Sequence, residues 1–144
     1  MRNPPAYIVI DTNVLINAGL LPHSKSAQVL ALAVEHFVIA QNQETWLELE
    51  TRIARPKFDR YFGAEGRLRH LIKIAQSMQH FERSAQVAVS RDPSDDKFIA
   101  LALDAGASLL ISGAPDLTTV QTHQGVEIVS PAQFLARFSP DSTS

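Results

Sequence analysis

DPSDDKFIALALDAGASLLISG, from Asp92 to Gly113, sets a helix and a strand back to back. Asp92 is placed to cap, Pro93 takes a first helical position, and Asp95 falls at the offset of a capping box. Phe98, Ile99, Ala102 and Leu103 recur near the helical period, and Gly106 ends the run. Ser108–Ser112 then reads as a short, buried strand. A helix delivered so directly onto a strand is half of a βαβ unit.

Working outward, the same alternation repeats. YIVI (Tyr7–Ile10), FVIA (Phe37–Ala40) and VEIV (Val126–Val129) are short and β-branched, with AQVAV (Ala85–Val89) a weaker fifth strand. They are apolar runs, which suits strands covered on both faces of a parallel sheet. Between them lie helical stretches: Ser24–Glu35 behind a serine cap, Gln43–Ala54 with Trp46, Leu47, Leu49 and Ile53, and Ala64–Gln79 with Leu68, Leu71, Ile72, Ala75 and Met78. A last helix runs from Ser130-Pro131 through Phe138. The expectation is one α/β domain over residues 1–138 with a mostly parallel sheet of about five strands. Residues 139–144, SPDSTS, form a tail with nothing to bury.

Composition narrows the chemistry. The chain has 144 residues, enough for a real core, and no cysteine, which excludes disulfides and thiolate metal sites and suits the cytoplasm. No window approaches the ~20 apolar residues of a membrane span. The net charge of −2 is unevenly spread. Arg52 to Arg83 holds eight basic against three acidic side chains, leaving −7 on the rest. That asymmetry suits a basic flank beside an acidic pocket, and equally a solvated helix face.

The acids fall where ligands bind. Open α/β sheets bind beyond the carboxyl ends of their strands. In AYIVIDTNVLINA (Ala6–Ala18), Asp11 directly follows the first strand, and Thr12 and Asn13 can hold its turn. Gly113 and Asp116 follow the Ser108–Ser112 strand. Glu44 and Glu48, four residues apart, share a helix face. Asp96 lies on or beside the buried face of its helix, whereas Asp92 and Asp95 read as caps. Converging carboxylates repel by about 4 kcal/mol per pair at ~4 Å and an effective dielectric near 20. Oxygen ligands alone call for a hard divalent cation, Mg²⁺ or Mn²⁺, whose usual work is phosphoryl chemistry. The histidines His23, His36, His70, His80 and His123 show no ligand spacing.

VIDTNVLINA, ETWLELETRIARPKF, DPSDDKFIALALDAGASLLISGAPDL and VEIVSPAQFL, in that order, resemble the PIN-domain family, and within it the VapC-like toxins of bacterial toxin–antitoxin pairs. The likeness spans Tyr7 to about Phe138. It implies a three-layer α/β/α sandwich with a Rossmann-like sheet. It also implies a Mg²⁺- or Mn²⁺-dependent ribonuclease specific for single-stranded RNA, a homodimer, and a cognate antitoxin that enters the acidic cleft. Carried over by residue, the resemblance makes Asp11, Glu48 and Asp96 metal-binding catalytic acids, with Glu44 a less certain neighbour. Asn13 supports Asp11, and Ser112 is a small hydroxyl lining the site. Arg52, Arg55 and Lys57, nearest Glu48 in the basic stretch, become candidates for RNA phosphates.

One position departs from the pattern. The family usually reads Gly-Asp-x-Asp-Leu where this chain reads Gly113-Ala114-Pro115-Asp116-Leu117. Ala114 cannot bind metal. The chain is then a deliberately inactivated sequence, a naturally weakened nuclease, or one in which Asp116 serves as the fourth acid. Two other functions compete. A non-catalytic PIN fold would bind RNA or protein without cleaving. A phosphatase of the haloacid-dehalogenase type also puts an aspartate after its first strand, but needs a second acid where Asn13 stands.

Overall fold

The computed structural model describes residues 6–88, 92 and 95–138. Its strands are β1 (Tyr7–Ile10), β2 (Val38–Gln41), β3 (Met78–His80), β4 (Leu109–Ile111), β5 (Thr122–His123) and β6 (Val126–Val129). The helices are α1 (Thr12–Leu20), α2 (Lys25–His36), α3 (Gln43–Ile53), α4 (Ala64–Ala75), α5 (Asp96–Ala105), α6 (Pro115–Thr118) and α7 (Pro131–Phe138). A short 3-10 turn, Pro56–Phe58, follows α3.

The sheet runs β3-β2-β1-β4-β6-β5. All neighbours are parallel except β5, which closes the edge antiparallel to β6. The chain moves outward from β1 to β2 and β3, then returns to lay β4 on the other side of β1. The crevice between β1 and β4 is therefore where strand order reverses, the place where such sheets bind ligands.

β1, β2, β4 and β6 each split their side chains between two cores, because strand side chains alternate in direction. Ile8 and Ile10 join one cluster with Val14, Ile16, Val29, Leu49, Ile74 and Phe134, drawn from α1, α2, α3, α4 and α7. Val9 joins the other with Leu110 of β4 and with Phe98, Ile99, Leu101 and Leu117 from α5 and α6. Helices thus cover both faces of a mixed, mostly parallel sheet. On the first face α4 meets α1 closely: a Cβ on Gly19 would lie 2.7 Å from the His70 ring. His70 stacks on Phe62 and its Nε2 bonds the Leu15 carbonyl at 2.9 Å.

Several expectations needed correction. Asp11 starts a helix, not merely a turn; α1 follows β1 without a loop. The weak strand at Ala85–Val89 does not form: 85–88 are irregular, and Val89 lies outside the described residues. The edge strand is β3, whose Met78 and Gln79 had been read as helix. It pairs on one side only, so it needs no apolar run. Helix α5 is described from Asp96 onward, with Asp95 in a 3-10 turn just ahead of it; Pro93 lies outside the described residues, as does the tail 139–144. Gly106 does end α5, with φ +67 in the left-handed region. Leu47, Leu68 and Ile72, read as buried faces, are all about half exposed or more. Their neighbours Leu49 and Ile74 carry the contacts instead.

Candidate functional site

Asp11 sits at the mouth of the β1–β4 crevice, and the backbone fixes it there. Its amide donates to the Ile111 carbonyl at 3.0 Å, extending the ladder one residue past β1. Its Oδ1 accepts the Val14 amide at 2.9 Å as the N-cap of α1. Its Oδ2 accepts the Ser112 hydroxyl, and Ser112 Oγ in turn accepts the Ala114 amide at 3.0 Å. Ser112, fully buried, therefore straps the end of β4 to the end of β1. Burial pushes the Asp11 carboxyl above its ordinary range; bonds from Ser112, Val14 and Gly113 pull it down, and the Glu48 charge adds to the rise.

Thr12 is buried in the first turn of α1, while Asn13 is exposed. Asn13 Oδ1 accepts Arg52 Nη1 at 3.5 Å, so it faces α3 rather than Asp11. Arg52 Nη2 also lies 3.6 Å from Glu48 Oε2, and Lys97 Nζ contacts that same oxygen. The other carboxylate oxygen of Glu48, Oε1, is buried with no hydrogen-bond partner among the described residues.

Among the described residues, one group of acids is close enough to share an ion, and it joins the expected Asp116 to two acids that the sequence reads as caps. Ligand oxygens of Asp92, Asp95 and Asp116 lie within 4.8 Å of one another. Asp92 and Asp95 had been read as caps, yet Asp95 makes no side-chain cap bond. Burial raises the Asp95 carboxyl, Asp92 raises it further, and Asp11 and Asp116 add smaller pushes, against Lys97. Those influences tie the group to Asp11. A usable signal was present: Asp92 and Asp95 are three apart, so both can face one way, and one helix start needs only one cap.

Asp96 is buried in the first turn of α5 and is not among the three clustered acids. Asp116 lies in the first turn of α6, with Ala114 just ahead of that helix. Glu44 turns elsewhere: it pairs with Arg83, across a groove of about 760 Å³ lined also by Asn42, Leu47, His80 and Phe81. Arg55 precedes the 3-10 turn and Lys57 lies in it, its Nζ 5.0 Å from the Phe58 ring. Arg52 is thus the one basic candidate with contacts to the acids among the described residues.

This donor set fits a hard divalent cation. It is all oxygen, three of its acids crowd within 4.8 Å, and Glu48 Oε1 is a buried acceptor with no hydrogen-bond partner among the described residues. No helix among the described residues is long and apolar enough to cross a membrane.

A family profile described as a PIN domain matches residues 7–114. Among proteins, the chain is 26% identical over 141 residues to an uncharacterized protein, MJ1680, of Methanocaldococcus jannaschii, covering 91% of this chain and 90% of that one. Among solved structures it is similar to PAE2754 from Pyrobaculum aerophilum, with a TM-score of 0.56 at 17% identity, over 93% of this chain and 90% of that one. At that identity the likeness is one of fold.

Proposed function

We propose, on the premise that the chain belongs to the PIN-domain family, that it is a divalent-metal-dependent endoribonuclease. Its substrate is single-stranded RNA, and its setting is the cytoplasm, as the toxin of a toxin–antitoxin pair. PIN domains are nuclease-type folds, typically metal-dependent. The observation that carries the reading is the acid set at the topological switch point: Asp11 at the strand tip, Glu48 on one side, and Asp92, Asp95 and Asp116 on the other.

Mg²⁺ or Mn²⁺ would be held by Asp11, Asp92, Asp95 and Asp116, with Glu48 Oε1 beside them. Such an ion supplies an activated water at neutral pH and charge stabilisation at the leaving oxygen. The protein's own groups supply order. Ser112 and the Val14 amide fix Asp11 in one rotamer. Arg52 and Lys97 hold Glu48 against α3 and α5, and Arg52 also steadies Asn13. Arg52, Arg55 and Lys57 extend basic charge from that wall, where an RNA backbone would lie. A homodimer and a cognate antitoxin with a basic side chain for the acidic pocket complete the proposal.

Ala114 weakens this nuclease without removing the acid set. Calorimetric titration with Mn²⁺, run beside cleavage of a single-stranded RNA, tests it. Wild type should bind Mn²⁺ and cut slowly; Ala114→Asp should bind more tightly and cut about tenfold faster or more, the scale of a ligand-shell change. Absence of Mn²⁺ binding in both proteins defeats the proposal. Ala114 also favours the second reading, a non-catalytic RNA- or protein-binding module, which predicts RNA binding without cleavage even after the acid is restored. A phospho-aspartate on Asp11, the mark of a phosphatase, is not expected, since both Asp11 oxygens already accept hydrogen bonds.

A further inference from the structure

A groove of about 760 Å³ opens at the carboxyl ends of β2 and β3, a size suited to a small ligand. It lies one strand away from Asp11. The register Ile8–Ile39, carried three residues on, sets Asn42 beside Asp11, on strands about 4.8 Å apart. The register Gln41–His80 sets Phe81 beside Asn42 in the same way. The groove and the strand-tip acid therefore share one edge of the sheet.

Asn42 lines this groove and is only 2% exposed. Its Oδ1 accepts the Thr45 amide at 2.8 Å, as the N-cap of α3. The Thr45 amide is a donor, so it sets which end of the Asn42 amide is the oxygen. The other end, Nδ2, is a buried donor with no hydrogen-bond partner among the described residues. Chains seldom leave a buried donor so, because its lost water is not replaced. The rest of the lining offers apolar and planar surface. Leu47 is 61% exposed, Phe81 stands edge-on to Tyr7 at 5.3 Å, and His80 and Arg83 add an imidazole and a guanidinium. An anion does not suit this place: Arg83 is already paired with Glu44, and Glu82 adds a second negative charge. A flat, neutral ring with an acceptor on its rim does. Single-stranded RNA is read in this manner, by bases splayed onto aromatic or arginine planes and hydrogen-bonded at their edges.

We propose that the groove is a nucleobase subsite: a base next to the phosphate handled at Asp11 lies against Leu47, and Asn42 Nδ2 donates to its edge. This rests on the single-stranded RNA reading above. It makes Asn42 and Leu47 base-contacting residues, neither of them a metal ligand.

The test reads binding rather than turnover, by fluorescence anisotropy in Ca²⁺ and again in EDTA. Two labelled ten-nucleotide probes are used, an RNA of mixed sequence and an abasic chain of the same length. The proteins are wild type, Asn42→Ser and Leu47→Ser. Serine keeps the cap of α3 and removes the donor. Wild type should bind the base-bearing RNA at least about fivefold more tightly than the abasic chain. Each variant should lose about fivefold on the base-bearing RNA and nothing on the abasic chain. If Asn42→Ser does not fold, Leu47→Ser decides alone, because its exposed side chain is not needed for packing. The subsite is overturned if wild type binds both probes equally, if a folded variant binds the base-bearing RNA as wild type does, or if a variant loses equally on both probes. Each of those results assigns the groove to something other than a base and leaves the nuclease reading standing. Wild type binding neither probe in either buffer sinks the RNA reading and the subsite together.

Discussion

Two kinds of carboxylate coexist in this molecule. At the carboxyl edge of the sheet, burial pushes Asp11 and Asp95 above their ordinary range, with a further push on Asp11 from Glu48 and on Asp95 from Asp92. On the far surfaces, Asp104 and Glu127 are held below it. Asp104 collects the Ser84 amide and hydroxyl and the Ala85 amide at 2.9–3.0 Å. Glu127 is paired by Arg137, one bond at 2.8 Å. The surface acids are satisfied by the chain, whereas the edge acids are held close together at a cost to the fold. Perturbed carboxylates gathered at a cleft are what the proposed metal site requires.

The largest expected break of this contrast comes at Asp11. Asp11→Ala removes a helix cap and leaves the buried Ser112 hydroxyl without its acceptor. It should cost about 2–4 kcal/mol in urea denaturation and abolish the response to Mn²⁺. At Asp104 the expected loss is smaller: Asp104→Ala frees the loop after β3 for about 1 kcal/mol, with Mn²⁺ binding intact. Asp95→Asn should move the other way, raising the metal-free melting temperature at pH 7 by about 2 °C while weakening Mn²⁺ binding. A lowered melting temperature in EDTA would count against the charge-strain account.

pH separates the two sets more finely. A raised carboxyl binds its proton more tightly in the folded state. The stability that Asp11 and Asp95 contribute is therefore present below the ordinary 3.8 and lost as pH climbs through their raised values. The lowered Asp104 acts oppositely: its contribution is present above 3.8 and lost as pH falls through its lowered value. Metal-free stability of Asp95→Asn should accordingly fall less than wild type between pH 4 and 7, and Mn²⁺ binding to wild type should release protons. Glu127→Gln is the smallest change: its fully exposed partner pair should leave the neutral-pH denaturation midpoint unmoved.

What the sequence told in advance follows the same division. β1 and β6 are read to the residue because their apolar runs are buried on both faces. α5 and Gly106 are legible because helix period and left-handed stop agree. α1 was hidden: its run from Val14 to Ile16 is continuously buried, so it lacks an amphipathic period, and Asn17 and Gly19 imitate a turn. β3 was hidden because an edge strand of Met78, Gln79 and His80 carries no hydrophobic signal. In the pocket, Asp11 was legible from its place at a strand tip. Asp92 and Asp95 were not, because acids before a helix are expected as caps, and only the fold shows that they turn toward Asp116. Lys97 was invisible for a related reason: its meaning lies in Glu48, which arrives from another helix.

The contact between Gly19 and His70 reaches further than packing. Leu15 donates its amide to the Asp11 carbonyl at 3.1 Å and offers its own carbonyl to His70 at 2.9 Å. One residue of α1 thus couples the backbone of the strand-tip acid to a side chain of α4, on the back of the molecule. Seen through amide hydrogen exchange, Leu15 should be among the slowest amides in the chain. A methyl group at position 19 should loosen it by evicting the His70 ring. The steadiness of the front of the pocket would then be set by a glycine at its rear.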